Sequence, residues 1–166
     1  MARSRAVVVA LAAVLLGSAV VGWWLGGHAS RPTSATVIDT IDGDTIVVRA
    51  AGARRDVTVR LLGVDTPETH HPRKPVECYG PEASAYTRAR LLGRSVQLEY
   101  DVERYDIYGR TLAYVLLDGR RFNDELLGLG YARLLVIAPN GDHARTMLRE
   151  MLDARSARRG LWGACE

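Results

Sequence analysis

From Ala35 onward the chain predicts an α+β domain, a five-stranded Greek-key β-barrel of the OB type carrying three α-helices. Three features of the sequence predict it. β-Branched runs come first, three in succession; a helix-forming stretch separates them from two further strands; and two helical stretches close the chain. Other α+β packings share this order of elements, so the pattern narrows the class without selecting one topology.

The first runs are Thr36-Val-Ile-Asp-Thr-Ile, Thr45-Ile-Val-Val-Arg and Val57-Thr-Val-Arg-Leu-Leu. The turn-like Asp42-Gly43-Asp44 and Ala51-Gly-Ala-Arg join them into an antiparallel meander. Residues 65–78 carry three prolines and no periodicity, which predicts a long loop. Pro81 suits a first helical position, and residues 82–92 are helix formers that stop at Gly93. Residues 95–101 and 111–117 read as strands, the second ending at Asp118-Gly119. Asn123 is expected to cap a short helix running to Gly130, and residues 132–137 to be extended. After Pro139-Asn140-Gly141, Asp142 is expected to cap a last helix. There Ala144, Met147, Leu148, Met151 and Leu152 recur at helical spacing as a core stripe.

The domain is preceded by residues 1–34, a signal peptide or signal-anchor segment with a short linker, and occupies residues 35–166. Arg3 and Arg5 lead into an uncharged, mostly apolar run, residues 6–27, that is long enough to span a bilayer and ends near Trp23-Trp24. Small residues around Ala29 and Ala35 offer cleavage sites as well. Both alternatives place the domain outside the cytoplasm, secreted or tethered to the outer face of the membrane. Net charge is +3, and setting aside Arg3 and Arg5 leaves 20 basic against 19 acidic residues, so overall charge neither marks nor excludes a nucleic-acid partner. Lys74 is the only lysine, a bias that a GC-rich genome accounts for. In an exported chain, Cys78 and Cys165 are expected to pair rather than remain buried thiols. A monomer is the expected state.

Taken singly, Asp42-Gly43-Asp44-Thr45 is a hairpin turn and Asp65-Thr66-Pro67-Glu68 a strand exit. Together with Arg60 they alternate carboxylates and a guanidinium along one stretch. Phosphodiester hydrolysis needs that mixture, because cations must offset charge on the phosphoryl oxygens while a base activates water. Asp44 and Asp65 are oxygen ligands suited to calcium or magnesium rather than zinc. The adjacent His70 and His71 cannot easily share one metal and read as loop surface.

Further along stand Tyr79-Gly-Pro-Glu-Ala-Ser-Ala, Asp106-Ile-Tyr-Gly-Arg-Thr-Leu-Ala-Tyr, Asn123 and Gly160-Leu-Trp. With Asp42-Gly-Asp-Thr and Arg60-Leu-Leu-Gly-Val-Asp-Thr-Pro-Glu-Thr, these resemble the staphylococcal nuclease (thermonuclease) family, collinearly from about Ala35 to Trp162. The resemblance implies an OB-fold barrel with three helices, and an endonuclease that cuts DNA and RNA with calcium and leaves 3′-phosphate ends. It implies that Asp44, Asp65 and the Thr66 carbonyl bind calcium, that Glu68 is the general base, and that Arg60 and Arg110 contact the scissile phosphate. Such a ligand set leaves calcium positions to water and substrate, so affinity should be weak and suited to a calcium-rich exterior. Tyr108 resembles a tyrosine near the bound nucleotide, or is a packed strand aromatic. Arg73 and Lys74 match basic positions near substrate phosphates, or are solvated loop residues.

The chain also departs from the family. Leu135 and Ile137 stand where the staphylococcal enzyme has tyrosines, so the aromatic surface for bases is reduced. Ile107 replaces a lysine, and Cys78 and Cys165 are additional. The competing expectation is a non-catalytic OB domain that binds nucleic acid without cutting it.

Overall fold

A computed structural model of the protein describes residues 32–69 and 75–165, all within the unit Arg31–Glu166. The apolar segment 6–27, with its alternatives of cleaved signal and anchor, lies outside the described residues, as do His70, His71, Arg73 and Lys74. Among the described residues no helix is long and apolar enough to cross a membrane.

Strands β1 (Thr33–Thr40), β2 (Thr45–Ala50) and β3 (Val57–Leu61) form the expected antiparallel meander. β3 turns at Leu62 into a short β4 (Gly63–Asp65). β5 (Ser95–Glu99) lies antiparallel to β1 and to β6 (Thr111–Leu117). β6 in turn runs parallel to β3, so the order β3-β2-β1-β5-β6 closes on itself as a five-stranded barrel. Closure pairs the edge strands of the barrel, β3 and β6, with each other. The two-residue alternation of the strands sends Val37, Ile46, Val48, Val59, Leu61, Val96, Leu98, Ala113 and Val115 into the interior, where all are buried. Two short strands lie beside the barrel: β7 (Arg120–Arg121) extends the β6 hairpin, and β8 (Arg133–Leu135), within the segment expected to be extended, pairs with β4.

The helices are α1 (Gly80–Leu91), α2 (Phe122–Gly128), α3 (Ala144–Ser156) and a single turn, α4 (Leu161–Ala164). Two expected caps are not caps. Asn123 sits inside α2 after Arg121, fully buried. Its amide nitrogen donates to the Leu62 carbonyl at 2.8 Å and its oxygen accepts the Val115 N–H at 2.9 Å. The corner between β3 and β4 leaves those backbone groups without sheet partners, and a buried amide satisfies both. α3 begins after His143 with no side-chain cap, and Asp142 instead donates its N–H to Asp101 Oδ2 at 3.1 Å. His143 is taken up by Glu99, at 2.8 Å. The stripe expected on α3 is also narrower than its sequence spacing: Met147 and Ala154 are buried, whereas Leu148 and Leu152 are 41% and 48% exposed. α3 packs against α2 and β8, and those neighbours cover only one side of it.

Cys78 and Cys165 are joined by a disulfide with Cα atoms 6.0 Å apart, as expected from the sequence. The bridge ties the residues before α1 to the end of α4 across a separation of 87 residues.

Candidate active site

The turn between β1 and β2 carries Asp44, and its position is set from three sides. Thr87 of α1 donates its hydroxyl to the Gly43 carbonyl at 2.6 Å, and the Leu61 N–H donates to the Asp44 carbonyl at 2.9 Å. A Cβ on Gly43 would lie 2.8 Å from the Thr66 side chain, so only glycine lets this turn approach the exit of β4. Asp44 is 5% exposed, and its carboxylate accepts three hydrogen bonds and pairs with one guanidinium. Oδ1 receives Arg60 Nε and the Thr45 hydroxyl, each at 3.1 Å; Oδ2 receives the Thr66 N–H at 2.8 Å and its hydroxyl at 3.1 Å.

Arg60 lies opposite Thr45 in the β2–β3 ladder. Its Nη1 donates to the carbonyls of Leu61 (2.8 Å) and Val64 (2.7 Å), and Nη2 lies 3.4 Å from Asp65 Oδ1. The family resemblance implies that Arg60 contacts the scissile phosphate. Most of its fork is engaged by protein, which fixes the group and leaves only the Nη2 side to face the pocket.

Beyond β4, the backbone of Glu68 is clipped to the returning loop: its carbonyl accepts the Glu77 N–H at 2.9 Å and its N–H meets Glu77 Oε2 at 3.2 Å. Gly80, the first residue of α1, lies against this segment; a Cβ there would come within 2.9 Å of the Pro67 carbonyl oxygen. The Cys78–Cys165 bridge is next to Glu77 and so anchors the same arm.

Arg110 comes from the hairpin that precedes β6. Its Nε donates to Asp106 Oδ2 at 2.6 Å, and Asp106 Oδ1 accepts the N–H groups of Tyr108 and Arg110, both at 2.9 Å. Its two η nitrogens have no other partner among the described residues. They form the free donor end that Arg60 lacks.

Asp44, Arg60, Asp65, Thr66, Glu68 and Arg110 line a single pocket of about 110 Å³, together with Asp42, Thr45 and Pro67. An adjoining pocket of about 420 Å³ shares Arg60 and Arg110 and is walled by Tyr105, Ile107, Tyr108, Leu112, Leu135 and Ile137. Tyr108 is 78% exposed in the turn, with the Arg110 guanidinium 5.6 Å from its ring centre, so it is not a packed strand aromatic.

Four carboxylates, those of Asp42, Asp44, Asp65 and Glu68, line the small pocket. Asp42 is pushed up to about 6, by burial first and by the Asp44 charge second. Burial and then the Asp44 charge raise Asp65 too, against the pull of Arg60. Among the described residues, no three histidine, cysteine or carboxylate side chains group into a metal cage by themselves. The donor chemistry nevertheless fits a hard cation: every candidate ligand is an oxygen, and a divalent ion would offset the mutual repulsion that burial magnifies. For Asp44 to ligate it, one of the donors on its carboxylate must turn away, and the Thr45 and Thr66 hydroxyls are free to rotate.

Residues 58–164 match the family described as Staphylococcal nuclease homologue. The chain belongs to the staphylococcal nuclease family. The thermonuclease of Staphylococcus hyicus is 42% identical over 126 residues, covering 76% of this chain and 73% of that protein. That of Staphylococcus intermedius is 42% identical over 132 residues, 80% and 77% of the two chains. Endonuclease YncB of Bacillus subtilis (strain 168) is 40% identical over 137 residues, 81% and 64%. These relatives make the protein an enzyme of the nuclease class. Within the family frame, Asp106, Glu77 and Thr87 are residues whose parts the sequence did not reveal. Asp106 stood in a recognised motif, but its grip on Arg110 is a property of the hairpin. Asp42 is another; its spacing of two residues from Asp44 was the available signal.

Proposed function

We propose that this nuclease is a calcium-dependent endonuclease that hydrolyses phosphodiester bonds of DNA and RNA, leaves 3′-phosphate ends, and works outside the cytoplasm. The observation that carries this is the convergence of Asp44, Asp65, Thr66, Glu68, Arg60 and Arg110, from separate elements, on one polar pocket beside a larger apolar one. Asp44, Asp65 and the Thr66 carbonyl would hold calcium, which when bound neutralises charge on the phosphodiester and draws it against the carboxylates. Glu68, held at its backbone by Glu77, takes the proton of the attacking water. Arg110 offers its η nitrogens to the phosphoryl oxygens as charge builds on them, and Arg60 adds its Nη2 side. The apolar pocket, with Tyr108 on its rim, receives a nucleobase attached to that phosphate. Export is supported by the apolar segment 6–27 behind Arg3 and Arg5 and by the disulfide, a bond that persists in oxidising compartments.

The test is digestion of single-stranded DNA, duplex DNA and RNA by the full chain, with calcium and with chelator, followed by end analysis. Cutting is expected only with calcium, giving fragments whose 5′-hydroxyls accept a kinase label without prior dephosphorylation. Cutting undiminished in chelator would remove the metal assignment. Binding of all three polymers without cutting would replace the enzyme with a binding domain.

A further inference from the structure

The apolar pocket has a wall for which the sequence provided no function. Tyr105 precedes the Arg110 hairpin, and its backbone is fixed by an antiparallel bridge to Thr111. Flanking bonds reinforce it, from Leu112 N–H to the Arg104 carbonyl at 2.8 Å and from Asp106 N–H to the Arg110 carbonyl at 3.0 Å. The side chain lines the 420 Å³ pocket and is 62% exposed, and its hydroxyl has no partner among the described residues. It is therefore not held for a hydrogen bond, nor buried for the core. Around the same pocket Ile107, Tyr108 and Ile137 are 90%, 78% and 68% exposed. A set of large apolar side chains around one concavity differs from apolar residues scattered singly over a surface, and marks a binding site.

The occupant is constrained by the neighbours. Arg60 and Arg110 stand at the junction with the polar pocket, so the group entering the apolar one is attached to an anion. It also meets rings and branched aliphatics, which suits a flat group with a π face. A nucleobase of a single strand meets both conditions. We propose that Tyr105 is a base-stacking residue that, with Tyr108, holds the base next to the phosphate being cut. It supplies an aromatic face to a pocket where Leu135 and Ile137 offer none. The inference rests on the nuclease function proposed above.

Steady-state cleavage of short single-stranded oligonucleotides by the full chain tests it, using intact substrates and matched ones with abasic positions flanking the cut. With intact substrate, Tyr105→Ala should raise KM by about 5-fold or more, with the loss falling on KM rather than kcat. Tyr105→Phe should restore KM, because the ring acts and the hydroxyl does not. On the abasic substrate the KM values of the wild type and Tyr105→Ala should converge. A KM for Tyr105→Ala within 2-fold of the wild type on intact strands would overturn the inference. So would an equal penalty on intact and abasic strands, or failure of Tyr105→Phe to rescue. The unfolding midpoint of each variant separates these effects from misfolding. If the wild type cut nothing, the nuclease function would fall, and anisotropy of the uncut intact and abasic strands would still read the stacking.

Discussion

Asp106 and Arg110 form a closed unit: Arg110 Nε donates to one carboxylate oxygen at 2.6 Å while the other takes the Tyr108 and Arg110 amides at 2.9 Å. Burial pushes the Asp106 carboxyl up, but the bonds from Arg110 and from the amides outweigh it and hold the group below the usual range. The free η nitrogens of Arg110 are thus aimed by a residue that lines the apolar pocket and not the polar one.

Asp106 should therefore act through Arg110. In Asp106→Asn the charge that orients the guanidinium is lost, and kcat should fall by roughly 10-fold or more with a smaller change in KM. Steady-state kinetics on one oligonucleotide reads the split. A rise in KM alone would mean that the pair serves ground-state binding.

Asp44 and Asp65 should differ on substitution although both line the pocket proposed to hold calcium. The Asp65 side chain is 53% exposed and, among the described residues, pairs only with Arg60 at 3.4 Å, so Asp65→Asn should shift the calcium needed for half-maximal rate by about 10-fold while sparing stability. Asp44→Asn should show the same shift and also lower the unfolding midpoint, because three buried hydrogen bonds and the Arg60 ion pair depend on that carboxylate. Calcium titrations and thermal melts of both variants check the contrast.

Removing the disulfide should act on two levels. Cys78→Ser with Cys165→Ser should cost about 2–4 kcal/mol of stability, since the bridge closes a long loop in the unfolded chain. The same change frees the arm on which Glu77 clips Glu68, so kcat should fall at temperatures well below the melt. Urea unfolding and low-temperature kinetics measure the two separately.

Acid should weaken the contact between α1 and α2. Glu125 is held below its usual 4.5, first by the Arg90 guanidinium, against burial, with the Tyr86 hydroxyl helping. A carboxylate with a lowered folded pKa contributes stability that is full above its unfolded value and is lost as pH falls through the folded one. The difference in urea midpoint between the wild type and Glu125→Gln should therefore be largest at pH 6–7 and shrink below about 4.5. A constant difference would assign Glu125 a packing role only.

The meander and the disulfide were legible because they rest on local chemistry: β-branched alternation, turn residues and an even cysteine pair in a chain with an apolar N-terminal run. The residues now lining the polar pocket were legible through spacing within motifs. Barrel closure was not, since the parallel pairing of β3 with β6 joins residues some fifty positions apart by register alone. Asn123 and Asp142 were misplaced as caps because their residue type suits a cap wherever a helix starts, while tertiary partners decided the outcome. Tyr105 carried no signal in sequence; only the fold brings it to the wall shared with Leu135 and Ile137.

The polar pocket is proposed to hydrolyse the phosphodiester, with Glu68 as its base. The direct measurement is kcat of the full chain carrying Glu68→Gln, in saturating calcium and on single-stranded DNA, beside the wild type. A fall of at least roughly 100-fold, with the bound affinity for uncut strand little changed, is the predicted result. A kcat within about 3-fold of the wild type would contradict it and move the chemistry away from this pocket.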